Sequence, residues 1–338
     1  MKILLIRDGR IGDMLLITPV LAAIKKAHPD SRLAVLTNPY GRQAIENNPR
    51  VDRVIELPER PFNLSFYFRL RAEKFTHVLV IEKSSRYAHL AWISGAKIRA
   101  GFRNKQKFFL NRLADWSDGI HEAENAIRIL ESIGITEISR KLEVFPGPED
   151  EKYVEQKLEE QRLNGKLLAG MDVNTGGDTK DLRLWPVEYF ASLADRLTKM
   201  GFTVVFVCPD SGGQRIAKIR KKMENSSVEF PTQKITQLAA LMKKMKIFIA
   251  QDTGPMHLAV AVRTPLAALF GMTDQGRTGP YGDTRFFRVV QYGMQCSPCK
   301  YLRHSPARNR CIDIERAVCM ERLKPEKVFA EIQELLTV

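Results

Sequence analysis

One short segment, residues 251–257, has the residue types needed to bind a phosphate group, and it reads Gln-Asp-Thr-Gly-Pro-Met-His. It follows an apolar run that predicts a strand, and it opens a predicted helix that either Asp252 or Thr253 can cap. Free N–H groups at the start of a helix bind anions, and Gly254 lets a ligand come close to the backbone. His257, one turn further on, could donate to a diphosphate or ribose oxygen. The segment therefore predicts a phosphate site, and the alternative is an ordinary capped helix with a buried histidine.

A second loop with similar chemistry spans residues 174–186 and reads NTGGDTKDLRLWP. Its Gly-Gly pair follows a predicted strand, and the cations Lys180 and Arg183 are placed to neutralise an anion. The competing interpretation is a solvated turn ahead of a helix that begins at Pro186.

A third loop, residues 7–13 (RDGRIGD), combines two glycines and two arginines directly after the first predicted strand. It matches neither the GxGxxG pattern of dinucleotide-binding folds nor the Walker A pattern. Asp13 begins the next predicted helix, where an acidic residue stabilises the helix dipole by about 0.3–1 kcal/mol. The functional alternative is a carboxylate that faces a binding cleft and takes part in the chemistry.

Four cysteines cluster near the carboxyl end with the spacing C-x2-C-x11-C-x7-C. Four thiolates, two of them in a C-x2-C pair, suit a structural zinc or iron ion. In an intracellular chain they point to metal more than to disulfides. The alternative is a set of reduced, partly buried thiols. The candidate ligands are Cys296, Cys299, Cys311 and Cys319.

The elements that must position these loops form two successive α/β halves. Alternating strands and helices predict parallel sheets covered on both faces, with ligands at the carboxyl ends of the strands in a cleft between two domains. A turn-rich break, residues 145–148 (Phe-Pro-Gly-Pro), begins the seam between the halves. The predicted strands are 2–7, 32–36, 53–57, 77–81, 167–173, 202–207, 246–250 and 265–270, and the predicted helices are 13–26, 149–162, 187–200, 236–244, 253–262 and 325–336.

The charge balance of the chain points to an acidic partner. The 338 residues carry a formal net charge of +14, and two stretches, 61–74 and 99–109, mix cations with aromatic residues. Such stretches suit an anionic amphiphile or a membrane surface, and the alternatives are an aromatic core with a basic rim or a nucleic-acid site. No nucleic-acid-binding motif accompanies them. No apolar run approaches the roughly 20 residues of a membrane span, and no signal peptide is recognisable, so we expect a cytoplasmic protein.

Three segments together carry a family resemblance: IRDGRIGDMLLITPVLAAI, RLWPVEYF and DTGPMHLAVAVRTPLAALFGMTD. In this order they resemble glycosyltransferase family 9, which contains the ADP-heptose:lipopolysaccharide heptosyltransferases. The resemblance covers essentially the whole chain. It implies the GT-B fold, two Rossmann-like domains around a cleft, with the acceptor in residues 1–150 and the donor in residues 160–322. The terminal helix, residues 324–338, is a candidate to pack back on the first domain.

The resemblance also implies residue roles. Asp13 matches the base that removes a proton from the acceptor hydroxyl, and Arg183 stands where the family often has a lysine on the diphosphate. Ile235 falls where the family packs a side chain on adenine. The sequence departs from the family at residues 207–211, where Asp210 is a candidate substitute for a donor-binding glutamate. The expected donor-binding residues are Asn174, Thr175, Thr179, Lys180, Arg183, Ile235, Asp252, Thr253, Gly254 and His257, and the expected acceptor-binding residues are Arg7, Arg10 and Arg103.

We therefore expect an inverting glycosyltransferase that moves heptose from ADP-heptose to an anionic glycolipid, the lipopolysaccharide inner core, at the cytoplasmic face of the inner membrane. No cofactor is expected for catalysis, because cations and a helix start can stabilise the leaving diphosphate. Zinc or iron at the cysteine cluster would be structural, and nucleic acid is not an expected partner. One alternative is the same fold with another nucleotide sugar or a protein acceptor, as in autotransporter-type heptosyltransferases. A second is a non-catalytic nucleotide-sugar-binding protein.

Overall fold

The structure is a computed structural model that describes residues 1–58, 63–82, 87–103, 107–175, 181–208, 213–299 and 317–337. The chain divides into two compact units, Met1–Phe145 and Pro146–Val338. Each unit contains a six-stranded sheet whose neighbouring strands are parallel. The α/β class predicted from the sequence is confirmed. The assignment of the acceptor and the donor to separate domains stays a prediction.

The sheet of the first unit has the strand order β3-β2-β1-β4-β5-β6. Its strands are β1 Lys2–Ile6, β2 Arg32–Thr37, β3 Arg53–Glu56, β4 His77–Val80, β5 Ile98–Phe102 and β6 Arg112–Ala114. Its helices are α1 Ile11–Leu15, α2 Thr18–Ala27, α3 Pro39–Ile45, α4 Leu64–Ala72, α5 Ala88–Ile93 and α6 Glu122–Glu131, and a 3-10 helix spans Lys107–Phe109.

Strand β1 lies inside this sheet, and its side chains from Ile3 to Ile6 are buried. It pairs with β2 on one side and with β4 on the other. The chain order reverses at this point, and in open α/β sheets the loops at such a reversal form the ligand-binding crevice. The two loops placed side by side here follow β1 and β4, at residues 7–10 and 81–82.

The single helix predicted over residues 13–26 is wrong in one respect, because the structure contains two helices, α1 and α2, joined through Leu16 and Ile17. Pro19 lies in the first turn of α2, where a missing N–H costs nothing, whereas inside one long helix its ring would clash with the carbonyl four residues earlier. The Thr18 hydroxyl donates to the Leu15 carbonyl at 2.7 Å and accepts from the Glu143 amide at 3.0 Å.

The sheet of the second unit has the strand order β12-β11-β10-β7-β8-β9. Its strands are β7 Leu168–Met171, β8 Thr203–Cys208, β9 Val228–Pro231, β10 Ile247–Gln251, β11 Leu266–Phe270 and β12 Phe287–Gln291. Its helices are α7 Pro148–Glu160, α8 Val187–Lys199, α9 Gly213–Arg220, α10 Ile235–Met242, α11 Gly254–Ala261, α12 Gln275–Thr278, α13 Val318–Arg322 and α14 Pro325–Thr337. The strand order again reverses beside β7, so the loops after β7 and β10 are neighbours.

The C-terminal helix α14 packs on α8, β11 and β12 of the second unit. It buries Val328, Ile332 and Leu335 there, and the Trp185 indole nitrogen donates to the Leu323 carbonyl at 2.7 Å just ahead of the helix. Within the part of the chain that the structure describes, no helix has the length and apolar character needed to cross a membrane.

Candidate active site

Asp13 lies in the first turn of α1, and its carboxylate is held from two sides. One oxygen accepts from the Arg7 guanidinium at 2.8 Å, and the other accepts from the backbone N–H of Arg10 at 2.9 Å. The side chain remains 43% exposed, whereas that of Arg7 is only 11% exposed. Gly9 leaves room for this arrangement, because a Cβ there would lie 2.4 Å from the Asp13 Cβ. Asp13 is therefore a fixed carboxylate with an open side, as a base needs to be.

Arg7 is a largely buried cation between two carboxylates. Its Nη2 donates to Asp13, its Nη1 donates to the Ile81 carbonyl at 2.9 Å, and Nη1 lies 3.8 Å from the Glu82 carboxylate. Glu82 also accepts from the Asp8 backbone N–H at 2.7 Å. Burial raises the pKa of Glu82 to about 7, although the Arg7 charge and the Asp8 amide oppose that rise. These contacts tie the loop after β1 to the loop after β4.

Asp8 is also fixed by groups from other elements. Its carboxylate accepts from the Asn38 amide at 2.7 Å and from the Tyr87 hydroxyl. Asn38 caps α3, because its oxygen accepts from the Gly41 amide at 2.9 Å. The floor of the loop is thus built from β1, β4, α3 and the start of α5.

The two other arginines expected to bind the acceptor lie on the surface. The Arg10 side chain is exposed at the start of α1. Arg103 follows β5 and donates to Asp115 at 2.9 Å in an exposed ion pair. Arg10 and Arg103 are thus exposed whereas the Arg7 side chain is largely buried, and the roles of all three in acceptor binding stay predictions.

In the second unit, the loop after β7 is held at three successive carbonyl oxygens. Arg215 donates to Val173 at 2.8 Å, Gln251 donates to Asn174 at 3.4 Å, and Arg183 donates to Thr175 at 3.3 Å. The loop is therefore shaped by fixed donors before any ligand arrives. The Asn174 side-chain nitrogen is buried and has no hydrogen-bond partner among the described residues.

Arg183 uses most of its hydrogen-bonding capacity inside the protein. It makes a two-pronged ion pair with Asp181, with Nη2 to Oδ2 at 2.6 Å and Nε to Oδ1 at 3.0 Å. Its Nη1 donates to the Asp252 carbonyl at 2.8 Å, which links the loop after β7 to the loop after β10. A guanidinium has five N–H groups, and the bonds to Asp181, Asp252 and Thr175 use four of them. Counting the described residues alone, one N–H on Nη1 is left for a ligand.

Thr253 is the residue that precedes α11, but its side chain does not cap the helix. Its hydroxyl donates instead to the Asp172 carboxylate at 3.1 Å. Thr253 thus occupies the predicted cap position without the capping bond. Pro255 has no N–H and the Met256 N–H donates to the Thr253 carbonyl at 3.2 Å, so in the first turn of the helix the Gly254 N–H is the one left for an anion among the described residues. Burial raises the pKa of Asp172 to about 6 against the bonds from Asn174 and Thr253, and burial also raises the pKa of Asp252.

The remaining predicted donor residues lie at the same edge of the sheet or outside the described residues. His257 is buried on α11, and Ile235 is the buried first residue of α10, after the edge strand β9. Thr179, Lys180 and Asp210 lie outside the described residues. On the adjacent loops after β7 and β10 and in the first turn of α11, the structure thus brings together Asn174, Thr175, Arg183, Asp252, Thr253, Gly254 and His257.

Two acidic residues at strand ends, Glu82 of the first unit and Asp172 of the second, were not predicted from the sequence. Each follows an apolar strand directly or after one residue, Asp172 after β7 and Glu82 after β4 and Ile81. An acidic residue at the carboxyl end of a buried strand was the available signal. Its burial depends on neighbouring strands far away in the sequence.

The predicted metal site is not supported by the described residues. Cys299 donates its backbone N–H to the Met272 carbonyl at 2.9 Å, and Cys319 lies beside Gly271, so both are near the end of β11. Cys311 lies outside the described residues. Among the residues that are described, no group of three or more histidine, cysteine or acidic side chains is placed to hold a metal ion. Zinc or iron binding by Cys296 and its neighbours stays a prediction.

Comparison with known proteins identifies the family. The model of glycosyltransferase family 9 (heptosyltransferase) matches residues 64–306. Lipopolysaccharide heptosyltransferase 1 of Pseudomonas aeruginosa is 23% identical over 367 residues, which cover 99% of this chain and 98% of that protein.

Two solved structures share the fold over nearly the whole of both chains. A family 9 glycosyltransferase from Veillonella parvula has a TM-score of 0.83 at 23% identity, covering 99% of this chain and 97% of that one. The ADP-heptose lipopolysaccharide heptosyltransferase II of E. coli has a TM-score of 0.78 at 20% identity, covering 100% and 99%. This chain therefore belongs to glycosyltransferase family 9 and is a glycosyltransferase of the GT-B fold.

Proposed function

We propose that this enzyme transfers heptose from ADP-heptose to the inner core of a lipopolysaccharide, with inversion at the anomeric carbon. The observation that carries the proposal is the family match, together with a full-length relative that is a lipopolysaccharide heptosyltransferase. The donor is inferred from the ADP-heptose lipopolysaccharide heptosyltransferase whose fold this chain shares.

In the proposed reaction, Asp13 removes the proton from an acceptor hydroxyl, and the resulting oxygen attacks the anomeric carbon of the heptose. The bond between that carbon and the diphosphate oxygen breaks, and ADP leaves from the opposite face. The geometry that supports this role is the exposed side of a carboxylate fixed by Arg7 and the Arg10 amide. A positioned general base contributes about 10²–10⁴-fold to such a step.

We assign donor binding to the loops after β7 and β10. The start of α11 offers the Gly254 N–H to the diphosphate, the Nη1 group of Arg183 can add a charged bond, and Asn174 has an amide to donate. Ile235 would pack on the adenine. Since these groups supply positive charge to the leaving diphosphate, we propose that transfer needs no divalent ion.

The acceptor is a lipid, and we propose that a surface of the first unit contacts the membrane that holds it. Four large apolar side chains there, from α4, α5 and the 3-10 helix, are between 59% and 73% exposed. They are Leu64, Phe68, Trp92 and Phe108, and we name this surface the α4–α5 face. We place the protein at the cytoplasmic side of the inner membrane.

The elements of the α4–α5 face are joined to each other. Arg71 of α4 donates to the Ile93 carbonyl of α5 at 3.2 Å, and the Trp92 ring lies 6.1 Å from that of Phe109. Arg69 and Arg71 add exposed cations. Aromatic side chains and cations at one surface are typical of proteins that bind anionic membranes.

The test is a transfer assay on the full chain with a purified lipopolysaccharide core that lacks heptose. ADP-heptose is compared with UDP-glucose and GDP-mannose, the acceptor is analysed by mass spectrometry, and the product anomer is assigned by NMR. We expect heptose transfer with inversion, unaffected by EDTA. Transfer from another nucleotide sugar, or to a protein in place of the lipopolysaccharide, would favour the alternative substrates. Binding of ADP-heptose without turnover would identify a non-catalytic binding protein.

A further inference from the structure

Glu82 has no role in the reaction proposed above, although it belongs to the same cluster of side chains as Asp13. Its carboxylate accepts from the Asp8 amide at 2.7 Å and lies 3.8 Å from Arg7 Nη1, and its side chain is 14% exposed. Among the described residues, the charged groups that act on it are Arg7, Asp8 and Asp13.

One guanidinium therefore serves two carboxylates. Arg7 Nη2 lies 2.8 Å from Asp13, while Nη1 is held on the other side by the Ile81 carbonyl and Glu82. Because Arg7 and Glu82 are largely shielded from water, a change of charge at Glu82 is felt by the guanidinium more strongly than it would be at the surface. Glu82 can make that change under ordinary conditions, since burial raises its pKa to about 7.

We propose that Glu82 is a positioning residue that controls Asp13 through Arg7. As a carboxylate, Glu82 shares the charge of the guanidinium and leaves Asp13 better able to take the acceptor proton. As a neutral acid, it leaves the whole charge of Arg7 to Asp13, which then holds a proton less readily. The inference rests on the proposed role of Asp13 as the base.

The sign of the pH dependence follows from this arrangement. Glu82 loses its proton as the pH rises through about 7, so kcat of the wild-type enzyme should rise over that range. We expect the rise to be about tenfold, since a neighbouring charge typically changes proton affinity by at least one pH unit. The KM for the donor should not follow this profile.

The test variant is Glu82→Gln, which removes the charge but keeps an oxygen that can accept from the Asp8 amide. Its kcat should be about tenfold lower than wild type at pH 8 and should not change between pH 6 and pH 8.5, with an unchanged donor KM. Glu82→Asp keeps an ionisable group and should retain a rise with pH. Glu56→Gln is the matched control, because Glu56 of the same unit forms an exposed ion pair with Arg42, and it should keep the wild-type profile.

Several results would overturn the inference. The wild-type profile persisting in Glu82→Gln would mean that another group titrates. Equal loss of the rise in Glu82→Gln and Glu82→Asp would mean that Glu82 acts through shape alone. Asp13→Asn, measured in parallel, separates this inference from the proposed function. If Asp13→Asn is inactive while Glu82→Gln is unaltered, only the role of Glu82 fails. If Asp13→Asn keeps its turnover, both fail.

Discussion

At the scale of single residues, Asp13 of the first unit is a carboxylate that is both fixed in place and open to solvent. A base must be held within hydrogen-bonding reach of the proton that it removes. The ion pair with Arg7 and the bond from the Arg10 amide supply the fixed geometry, and the 43% exposure leaves space for a hydroxyl.

Replacing Asp13 with Asn tests this role. The amide can still accept from the Arg10 N–H but cannot take a proton, so transfer should fall by about 10²–10⁴-fold while ADP affinity is unchanged. The measurements are the initial rate of ADP release and calorimetric titration with ADP. Asp30→Asn, an exposed position of the same unit, is the control and should behave as wild type. Turnover near wild type in Asp13→Asn would show that another group is the base.

Arg183 of the second unit shapes a predicted binding loop through its hydrogen bonds. These bonds leave it few N–H groups for the ligand itself. Replacement by Lys keeps the charge, but an ammonium cannot reach the Thr175 and Asp252 carbonyls while also pairing with Asp181. We expect ADP affinity to fall about tenfold in Arg183→Lys and further in Arg183→Ala, since hydrogen bonds to charged groups contribute about 1.5–3 kcal/mol each.

The chain offers a matched control for Arg183. Arg285 forms the same two-pronged ion pair with the acidic residue two positions earlier, Asp283, but at an exposed site. Arg285→Lys and Arg285→Ala should leave ADP titrations unchanged. If Arg183→Lys binds ADP as wild type does, the bonds by which Arg183 joins the loops after β7 and β10 are not needed for donor binding.

At the scale of elements, the site of the first unit depends on the close approach of α1 and α3. Gly41 makes this approach feasible, because a Cβ there would lie 2.4 Å from Thr37 Oγ1, 2.8 Å from Met14 Cγ and 2.9 Å from the Gly9 carbonyl. Since Gly9 is packed against Asp13, a shift of α3 would be passed on to the predicted base.

Gly41→Ala should therefore affect both stability and activity. Overpacking of this kind typically costs about 1–3 kcal/mol, which urea unfolding can measure, and the transfer rate should fall more than the ADP affinity. Gly213→Ala at the start of α9 is the control, because a Cβ there meets no atom of the described residues within 4 Å. If Gly41→Ala and Gly213→Ala have the same stability and the same transfer rate, the contact between α1 and α3 does not position the site.

The elements also show how far the sequence predicts the fold. Strands such as β1, β7 and β10 were predicted because each is a continuous buried apolar run. Strands β5, β6, β9 and β12 were missed, since they lie toward the edges of their sheets, are only half-buried and include charged residues or glycine.

The candidate site was predicted to a similar extent. Asp13 and the loop after β10 were found because glycines and polar residues directly follow apolar strands. The buried state of Glu82 and Asp172 depends on neighbouring strands distant in the sequence, and so does the use of Arg183 as a clamp. Sequence spacing marks Glu82 and Asp172 as residues at strand ends, but it indicates neither their burial nor the contacts of Arg183.

At the scale of the whole molecule, the net charge of +14 favours binding to anionic surfaces in general. Charge alone neither selects a membrane nor orients the protein on it. The α4–α5 face can supply both selection and orientation, since its exposed apolar side chains can enter the boundary between lipid headgroups and acyl chains. A bound state that depends on both contributions should respond to salt and to single apolar substitutions.

Vesicle binding tests this directly. Phe68→Ser and Trp92→Ser should each lower binding to vesicles of phosphatidylglycerol and phosphatidylethanolamine about tenfold, because burying a large apolar side chain contributes about 1.5–3 kcal/mol. Tyr40→Ser is the matched control, since Tyr40 is an exposed aromatic residue on α3 of the same unit. Wild-type binding, measured by flotation, should weaken as sodium chloride is raised. Equal losses in all three variants, or none in Phe68→Ser and Trp92→Ser, would show that the α4–α5 face is not the membrane-binding surface.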